Sequence, residues 1–408
     1  MLKRIIVVIT VLLLLKGVVS AQNTSIAIIN AKVYPSPTAK PISNATILIS
    51  DGKIKAVGAK NAVKIPASYE VMDMKGKVIT AGFWNCHVHF IEPHWTDAGR
   101  LPADTAEKYL KAMLSSHGFA YAFDLAALNF SNLKNLRGRI NDGEITGPTI
   151  LAVGVPFTSA SPYYIRPAVL PELKNAQQVS THLEQQLEEG VNGIKIWTAS
   201  PVGGRIDYMP DSLIKVAAAF TSRNKIPLFS HPTNIAGAIR AVKNGVTVLT
   251  HTSPDDRHDW DPLLVKELVK ANVALIPTLK LCTWDISKEE RETSNDLLLK
   301  TAVTQLSSFH KAGGVVLFGT DVGYMTDYNP LDEFVYMGRS GMSFSKILAS
   351  LTVNPAKKFG YEKKTGKIEV GLDADLVILN SDPAVDVRNF TDVHYTIRKG
   401  IVIYEGKK

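Results

Sequence analysis

The sequence has only two cysteines, little excess charge and no long apolar run beyond its first residues. Two thiols, Cys86 and Cys282, cannot form a disulfide framework, and the sequence does not fix whether they pair. A formal net charge of +8 on 408 residues is too small to indicate a nucleic-acid partner. The chain also lacks internal repeats, low-complexity tracts and a glycine-rich nucleotide fingerprint. Since 45% of its residues are hydrophobic, we expect it to fold around a sizeable core.

The N-terminal segment has the pattern of an export signal. Lys3 and Arg4 form a basic start, the apolar run Ile5–Leu15 follows, and Val19-Ser20-Ala21 places small residues where a signal peptidase cuts. The alternative is a membrane anchor, but this run is well short of the roughly 20 residues that span a bilayer. We therefore predict that residues 1–21 are a signal peptide, and that the mature protein is exported, periplasmic or secreted, without a stable membrane span.

Both ends of the remaining chain are predicted to be β-rich. Short alternating apolar stretches, broken by Pro, Asn and Gly turns, lie at Ile26–Val33, Ala45–Leu48, Gly52–Val57, Ala374–Leu379 and Val393–Tyr404. A single β-sandwich built from both chain ends is a simpler interpretation than two separate terminal units. We therefore assign residues 22–80 and 358–408 to the two parts of a small β-sandwich.

The middle of the chain, residues 81–357, alternates short apolar strands with helical segments. The predicted strands are Phe83–Phe90, Ala120–Leu125, Thr149–Val153, Gly193–Trp197, Leu228–His231, Val246–His251, Val273–Pro277 and Val315–Asp321. Predicted helices between them include Asp104–His117, Ala176–Glu189, Asp211–Arg223, Ile235–Lys243, Pro262–Lys270 and Asn295–Lys311. Eight such units predict an α/β fold of the (β/α)₈ TIM-barrel type, with the active site at the C-terminal strand ends. An open doubly wound sheet is the alternative.

Metal-ligand residue types stand at several of these strand ends. His87 and His89 are two apart on the first strand, so both imidazoles point to one face. His231 ends the fifth strand, His251 the sixth and Asp321 the eighth. Each alone has another explanation: a histidine in the core, or an Asp that caps a following helix. Together they predict a metal site at the mouth of the barrel.

Lys195 lies inside the apolar strand Gly193–Trp197, where an ammonium group is costly to bury. Two divalent metals nearby would repel that cation and favour the neutral amine. A neutral amine can add CO₂ to form a carbamate, whose two oxygens can bridge two metals. The alternative is a lysine whose flexible stem carries its charge to the rim of the barrel.

At this point the chain resembles the amidohydrolase superfamily, from about residue 24 to the C-terminus. It is most similar to the imidazolonepropionase-like branch, which includes metal-dependent peptidases and prolidases. The matching segments are Ala81–His89, Lys195, Ser230–His231, Thr250–His251, Gly319–Asp321, Leu351–Lys357 and Gly371–Val377. As a set they are specific for the superfamily but not for a substrate.

The resemblance implies a (β/α)₈ barrel, a small β-sandwich from both chain ends, and a binuclear metal centre. His87, His89 and Asp321 would bind the more buried ion, and His231 and His251 the more exposed one. Carbamylated Lys195 would bridge them. One departure is that the residue two before the first histidine, often Asp in relatives, is Asn85 here.

Two divalent ions, Zn²⁺ by expectation, predict a hydrolase. They would lower the pKa of a bridging water, so that hydroxide is available near neutral pH. Asp321 would take a proton and pass it to the leaving amine as the catalytic residue. The predicted reaction is hydrolysis of an amide C–N bond in a small molecule, a dipeptide or N-acyl amino acid. Alternatives are a ring-opening cyclic amidase, a lactonase, an imidazolonepropionase-like hydrolase, a mononuclear deaminase or an inactive binding protein.

Substrate contacts are expected from the loops that follow the strands. Tyr163 follows the third strand, Arg205 and Tyr208 the fourth, His258 the sixth and Tyr324 the eighth. An arginine can hold a substrate carboxylate through two parallel hydrogen bonds. The alternative is that these side chains are ordinary solvated surface.

Overall fold

The structure, a computed structural model, describes residues 25–165, 168–284 and 296–406. The predicted signal peptide therefore lies outside the described residues. Cys86 and Cys282 are both buried and are not joined by a disulfide. Within the described ranges, no helix has the length and apolar character needed to cross a membrane.

The strands alternate with helices through the middle of the chain and cluster at its two ends. The strands are β1 Ile26–Val33, β2 Ile42–Ser50, β3 Lys53–Ala59, β4 Glu70–Asp73, β5 Val78–Ala81, β6 Phe83–Val88, β7 Phe119–Asp124, β8 Thr149–Ala152, β9 Ile194–Trp197, β10 Ala199–Val202, β11 Arg205–Tyr208, β12 Leu228–His231, β13 Val248–Thr250, β14 Ala274–Ile276, β15 Val315–Val316, β16 Leu376–Leu379, β17 Val393–Arg398 and β18 Ile401–Glu405. The helices are α1 Ala103–Met113, α2 Phe130–Asn141, α3 Ala176–Glu189, α4 Asp211–Asn224, α5 Ile235–Lys243, α6 Pro262–Lys270, α7 Leu281–Trp284, α8 Asp296–Lys311, α9 Leu331–Arg339, α10 Phe344–Leu351 and α11 Val353–Lys358.

Strands from both chain ends form one sheet. Its order is β18-β17-β16-β5-β1-β2-β3, and β4 also pairs with β1. The joining contact is the antiparallel pair of β5 with β16, in register from Val78 opposite Leu379 to Ala81 opposite Leu376. One face of this sheet buries an apolar cluster that draws on β1, β2, β5, β16 and β17. The first and last parts of the chain are thus held together by backbone hydrogen bonds and a common core.

The eight strands predicted in the middle of the chain are all present and pair in parallel. They form a three-stranded sheet, β6-β7-β8, and a five-stranded sheet, β15-β14-β13-β12-β9. Parallel bridges connect the two sheets at both junctions, Val88 with Val322 and Val153 with Gly193. Side chains from both sheets also pack into one buried cluster that includes Trp84, Phe123, Phe229 and Ile276.

Several helix bounds match the predicted ones because the capping residues are explicit in the sequence. Helix α3 begins after Asn175, whose side chain accepts a hydrogen bond from the backbone N–H of Gln178. It ends at Gly190, which adopts the left-handed conformation with φ 92°. The predicted and observed helix, Ala176–Glu189, therefore coincide.

A hairpin that the sequence analysis did not predict follows β9. Strands β10 and β11 pair antiparallel, and the two residues between them, Gly203 and Gly204, have φ of 56° and 79°. Two consecutive positive φ angles are the requirement of a tight type I′ turn, which explains the glycine pair. The hairpin places Arg205 at its exposed tip and Ile206 against the large cavity described below.

Candidate metal centre

The structure brings all six predicted ligands together. His87 lies in β6, Lys195 in β9, and His231 ends β12; the other three residues follow β6, β13 and β15. A cavity of about 720 Å³ at these C-terminal strand ends is lined by His87, His89, Lys195, His231, His251 and Asp321. Parallel strands whose ends meet at one edge explain how residues more than 200 positions apart converge.

Asp321 is at the centre of the cluster. Its Oδ1 lies 2.8 Å from Nε2 of His89 and 3.3 Å from Nε2 of His87, and its Oδ2 lies 3.9 Å from Nε2 of His251. His87, His251 and Asp321 each offer a ligand atom within 4.8 Å of the others. His231 extends the group, with its ring centroid 4.8 Å from that of His251.

The unpartnered atoms of this cluster fit a metal. Nε2 of His87 and Nε2 of His89 both face Oδ1 of Asp321, which is buried and makes no hydrogen bond among the described residues. A buried polar atom without a partner is costly, and a bound cation would supply one. Imidazole nitrogens and a carboxylate oxygen are also ligands that Zn²⁺ and similar divalent ions take.

Burial keeps most of the histidines neutral. The pKa of His87, His231 and His251 is held well below the usual 6.5, first by burial and also by the positive charge of Lys195. A neutral imidazole has the free lone pair that a metal ligand needs.

His89 differs because two carboxylates lie beside it. Burial by itself would lower its pKa, but the nearby carboxylates of Asp124 and Asp321 outweigh burial and raise the pKa to about 9. Asp124, which ends β7, also accepts hydrogen bonds from the backbone N–H groups of Ala126 and Phe90. Sequence analysis missed Asp124, although its place at a C-terminal strand end was a usable signal.

Lys195 does not extend into solvent. Its side chain is 2% exposed, and its Nζ donates a hydrogen bond of 2.8 Å to Oγ1 of Thr250. The hydroxyl of Thr250 in turn donates its hydrogen to the carbonyl of Ser230. It can therefore only accept a hydrogen bond from Lys195. Burial lowers the pKa of Lys195 to about 7, with Asp321 opposing the shift. Burial therefore favours the neutral amine over the ammonium form at this position.

Thr278, after β14, orients His251. Its Oγ1 donates to the carbonyl of Pro277 at 2.9 Å and lies 2.5 Å from Nδ1 of His251. Because the single hydroxyl proton goes to Pro277, Nδ1–H of His251 must be the donor. That tautomer leaves Nε2, the nitrogen nearer Asp321, with its lone pair free. Sequence analysis missed this role, since a threonine after a strand carries no distinctive signal.

The backbone at the site is held in uncommon conformations. His251 and Asp321 have φ of 69° and 62°, in the left-handed region that non-glycine residues seldom adopt. Each such residue costs about 1–3 kcal/mol, which the surrounding structure must offset. Asp321 is followed by a turn rather than a helix, which excludes the helix-cap explanation. Gly323 is required beside it, because a Cβ there would lie 1.8 Å from the carbonyl oxygen of His89.

The side chain of Asn85 forms hydrogen bonds with two residues at the metal-ligand cluster, His87 and Thr320. Its side-chain oxygen accepts from the backbone N–H of His87 and of Thr320, and its Nδ2 donates to Oγ1 of Thr320 at 2.7 Å. The departure from Asp at this position therefore leaves an amide whose donor and acceptor both have partners within the site.

The predicted substrate contacts divide into two groups. Tyr163 and Tyr324 line the large cavity, whereas Arg205, Tyr208 and His258 are not among the residues that line it. Arg205 and His258 are exposed. Tyr208 accepts a hydrogen bond of 2.8 Å from Asn234, which does line the cavity.

The strands, helices and clustered ligands define an α/β enzyme of the TIM-barrel type with a candidate metal centre. The sequence profile of the amidohydrolase family matches residues 78–403, and the chain belongs to this family. Members of the family generally use divalent metals. The chain is a hydrolase that acts on carbon–nitrogen bonds.

Relatives with known names are distant but match along most of the chain. Ochratoxinase of Aspergillus niger is 23% identical over 419 residues, covering 92% of this chain and 85% of that protein. Imidazolonepropionase of Brucella anthropi is 24% identical over 387 residues, covering 83% and 87%. The crystal structure of a Xaa-Pro dipeptidase with bound methionine has a TM-score of 0.79 at 21% identity, covering 94% of this chain and all of that one.

Proposed function

We propose that this protein is an exported, binuclear metal-dependent amidohydrolase that cleaves the amide bond of a dipeptide or N-acyl amino acid. The observation that carries the proposal is the convergence of four histidines, one aspartate and a fully buried lysine on one large cavity. The dipeptidase among the structural relatives and ochratoxinase are consistent with this substrate class.

We further propose that the two parallel sheets form one closed (β/α)₈ barrel over residues 81–357. Bridges at both junctions of the sheets support closure. Residues 22–80 and 358–408 would form a β-sandwich, which the shared terminal sheet supports. Residues 1–21 would be the export signal.

His87, His89 and Asp321 would hold one ion and His231 and His251 the other, with Lys195, as a carbamate, between them. The short distances from Asp321 to His87 and His89 support the first set. The burial of Lys195 among these ligands supports the bridging role. Two divalent ions in this place would lower the pKa of water and polarise a substrate carbonyl.

In this proposal Asp321 would move the proton. Asp321 is 5% exposed and lines the cavity, where a scissile amide would approach the ligands. It would accept a proton as water attacks the carbonyl and give that proton to the departing nitrogen, which would otherwise leave as an unstable anion.

Thr278 gives a test of the metal centre that does not remove a ligand. We expect Thr278→Val to weaken metal binding about 10- to 100-fold, because it removes the acceptor that fixes the tautomer of His251. The measurement is Zn²⁺ affinity by competition with a chromophoric chelator. Thr278→Ser keeps the hydroxyl and should bind like the wild type. Equal affinity of the Val and wild-type proteins would contradict the role.

The outer wall of the cavity indicates a large apolar group on the substrate. Apolar side chains that line it and remain open to solvent include Ile91, Leu128, Tyr163 and Tyr324. Trp197 adds a flat indole face, stacked on His231 with the ring centroids 5.0 Å apart. Exposed apolar residues gathered at one cavity are typical of a binding surface.

We therefore expect N-acyl amino acids with aromatic or branched side chains to exceed those with Gly or Asp in kcat/KM by about 10- to 100-fold. Leu128→Ser should reduce this preference, because Leu128 is part of the wall and 42% exposed. The matched control is Leu263→Ser, since Leu263 is exposed on α6 and outside the lining. Hydrolysis without side-chain preference would contradict the role of the wall, and no amide hydrolysis in a metal-loaded screen would contradict the function.

A further inference from the structure

We propose that a second cavity, of about 200 Å³, binds a small phosphate-type oxyanion. It is lined by Thr149 and Leu151 of β8, Arg137 of α2 and Lys399 of the β17–β18 turn, among others. Thr149 is the first residue of β8, so the cavity lies at the N-terminal strand ends, opposite the candidate metal centre. It also lies between the parallel strands and the terminal sheet.

The cavity has hydrogen-bond donors without acceptors. Arg137 is half-buried, yet its guanidinium makes no hydrogen bond or ion pair with a described residue. The hydroxyl of Thr149 is buried and also without a partner among the described residues. Lys364 and Lys399 line the same space, and the ammonium of Lys364 lies over the ring of Tyr361, 5.2 Å from its centroid.

The acidic groups nearby are already engaged. Asp373, which also lines the cavity, is paired with Lys53 at 2.5 Å. The hydroxyl of Tyr121 donates to Asp375 at 2.8 Å, and that carboxylate lies outside the lining. Three cationic side chains therefore face this cavity while its one carboxylate is neutralised by a fourth.

The size and charge of the cavity favour a divalent oxyanion. Its volume leaves room for a phosphate group. An arginine fork and a hydroxyl are suited to the oxygens of a phosphate, and burial strengthens each bond. The same chemistry could come from free phosphate or from the head of a small phosphate monoester.

The test is calorimetric titration of the metal-loaded full chain with inorganic phosphate, alongside thermal unfolding. We expect Kd to rise at least tenfold in Arg137→Met and in Lys364→Met. The side chain of Lys364 is exposed, so its replacement keeps the fold and tests binding alone. Wild-type protein should gain about 2–4 °C in Tm at saturating phosphate. Arg223→Met removes an exposed arginine outside the cavity and should bind like the wild type.

Phosphate also coordinates divalent metals. The deciding quantity is therefore the difference in phosphate Kd between the wild type and Arg137→Met, because the candidate metal ligands are the same in both proteins. Equal Kd values for the two, or a Tm rise reproduced by NaCl at the same ionic strength, would overturn the proposal. A loss of binding in Arg137→Met would support it. Glycerol phosphate that binds more tightly than free phosphate would identify a monoester head as the ligand, and weaker binding would identify the free ion.

Discussion

Replacement of Asp321 by Asn is expected to lower kcat/KM for amide hydrolysis by about 10³- to 10⁴-fold. The amide is nearly the same size as the carboxylate and fits the same buried space, but it can neither accept a proton from water nor return one to the leaving nitrogen. The measurement is steady-state hydrolysis of an N-acyl aromatic amino acid, with metal content determined on the same sample.

Metal content separates the two roles of this residue. Asp321 lies within 3.3 Å of His87 and His89, so loss of metal from the variant would explain a loss of activity by weakened binding alone. The informative protein is therefore Asp321→Asn reloaded with metal to the wild-type level. Asp259→Asn, at an exposed position outside the cavity lining, is the control and should retain activity. Normal turnover by reloaded Asp321→Asn would exclude the proton-transfer role.

Replacement of Lys195 by Ala is expected to reduce bound metal from about two ions per chain to about one and to abolish most activity. Lys195 is the residue proposed to bridge the ions, and Ala leaves a gap among the ligands. Metal per chain is measured by mass spectrometry on purified protein, with and without bicarbonate. Because a short carboxylate has the same two oxygens as a carbamate, added acetate or propionate should restore part of the activity.

Two comparisons make the Lys195 result specific. Thr250→Val removes the hydrogen bond to Lys195 but keeps the amine, so it should retain two metals. Rescue should not occur in Asp321→Asn, where the missing group is not the bridge. One metal per chain that does not depend on Lys195 would contradict the binuclear proposal and favour a mononuclear imidazolonepropionase-like or deaminase chemistry.

The sequence predicted the parts of this protein that follow local rules. Strands such as β12, Leu228–His231, and helices such as α5, Ile235–Lys243, were predicted at their observed bounds, because turn and cap residues mark them. The convergence of the six ligands on one cavity was also predictable, since the C-terminal ends of alternating parallel strands meet at one edge.

Features that depend on tertiary contacts were not predicted. Strand β15 is only Val315–Val316, because the following backbone bonds of Phe318 and Asp321 go to Ser350 and to Cys86 and His87 instead. The position of Arg205 at a hairpin tip follows from the pairing of β10 with β11. Asp124, at the end of β7, lies 3.7 Å from Nδ1 of His89, which follows β6. This proximity depends on the pairing of the two strands, and the spacing of the two residues along the chain does not reveal it.

The pairing of β5 with β16 has a consequence for how this chain acquires its structure. The two strands are about 300 residues apart, so on a ribosome that adds roughly 5–20 residues per second β5 waits at least ~15 s for its partner. Until then one edge of β5 is an open template for other strands. Sheet completion is therefore a late, long-range step, and we expect truncation before Leu376 to yield an aggregation-prone chain rather than a shortened enzyme.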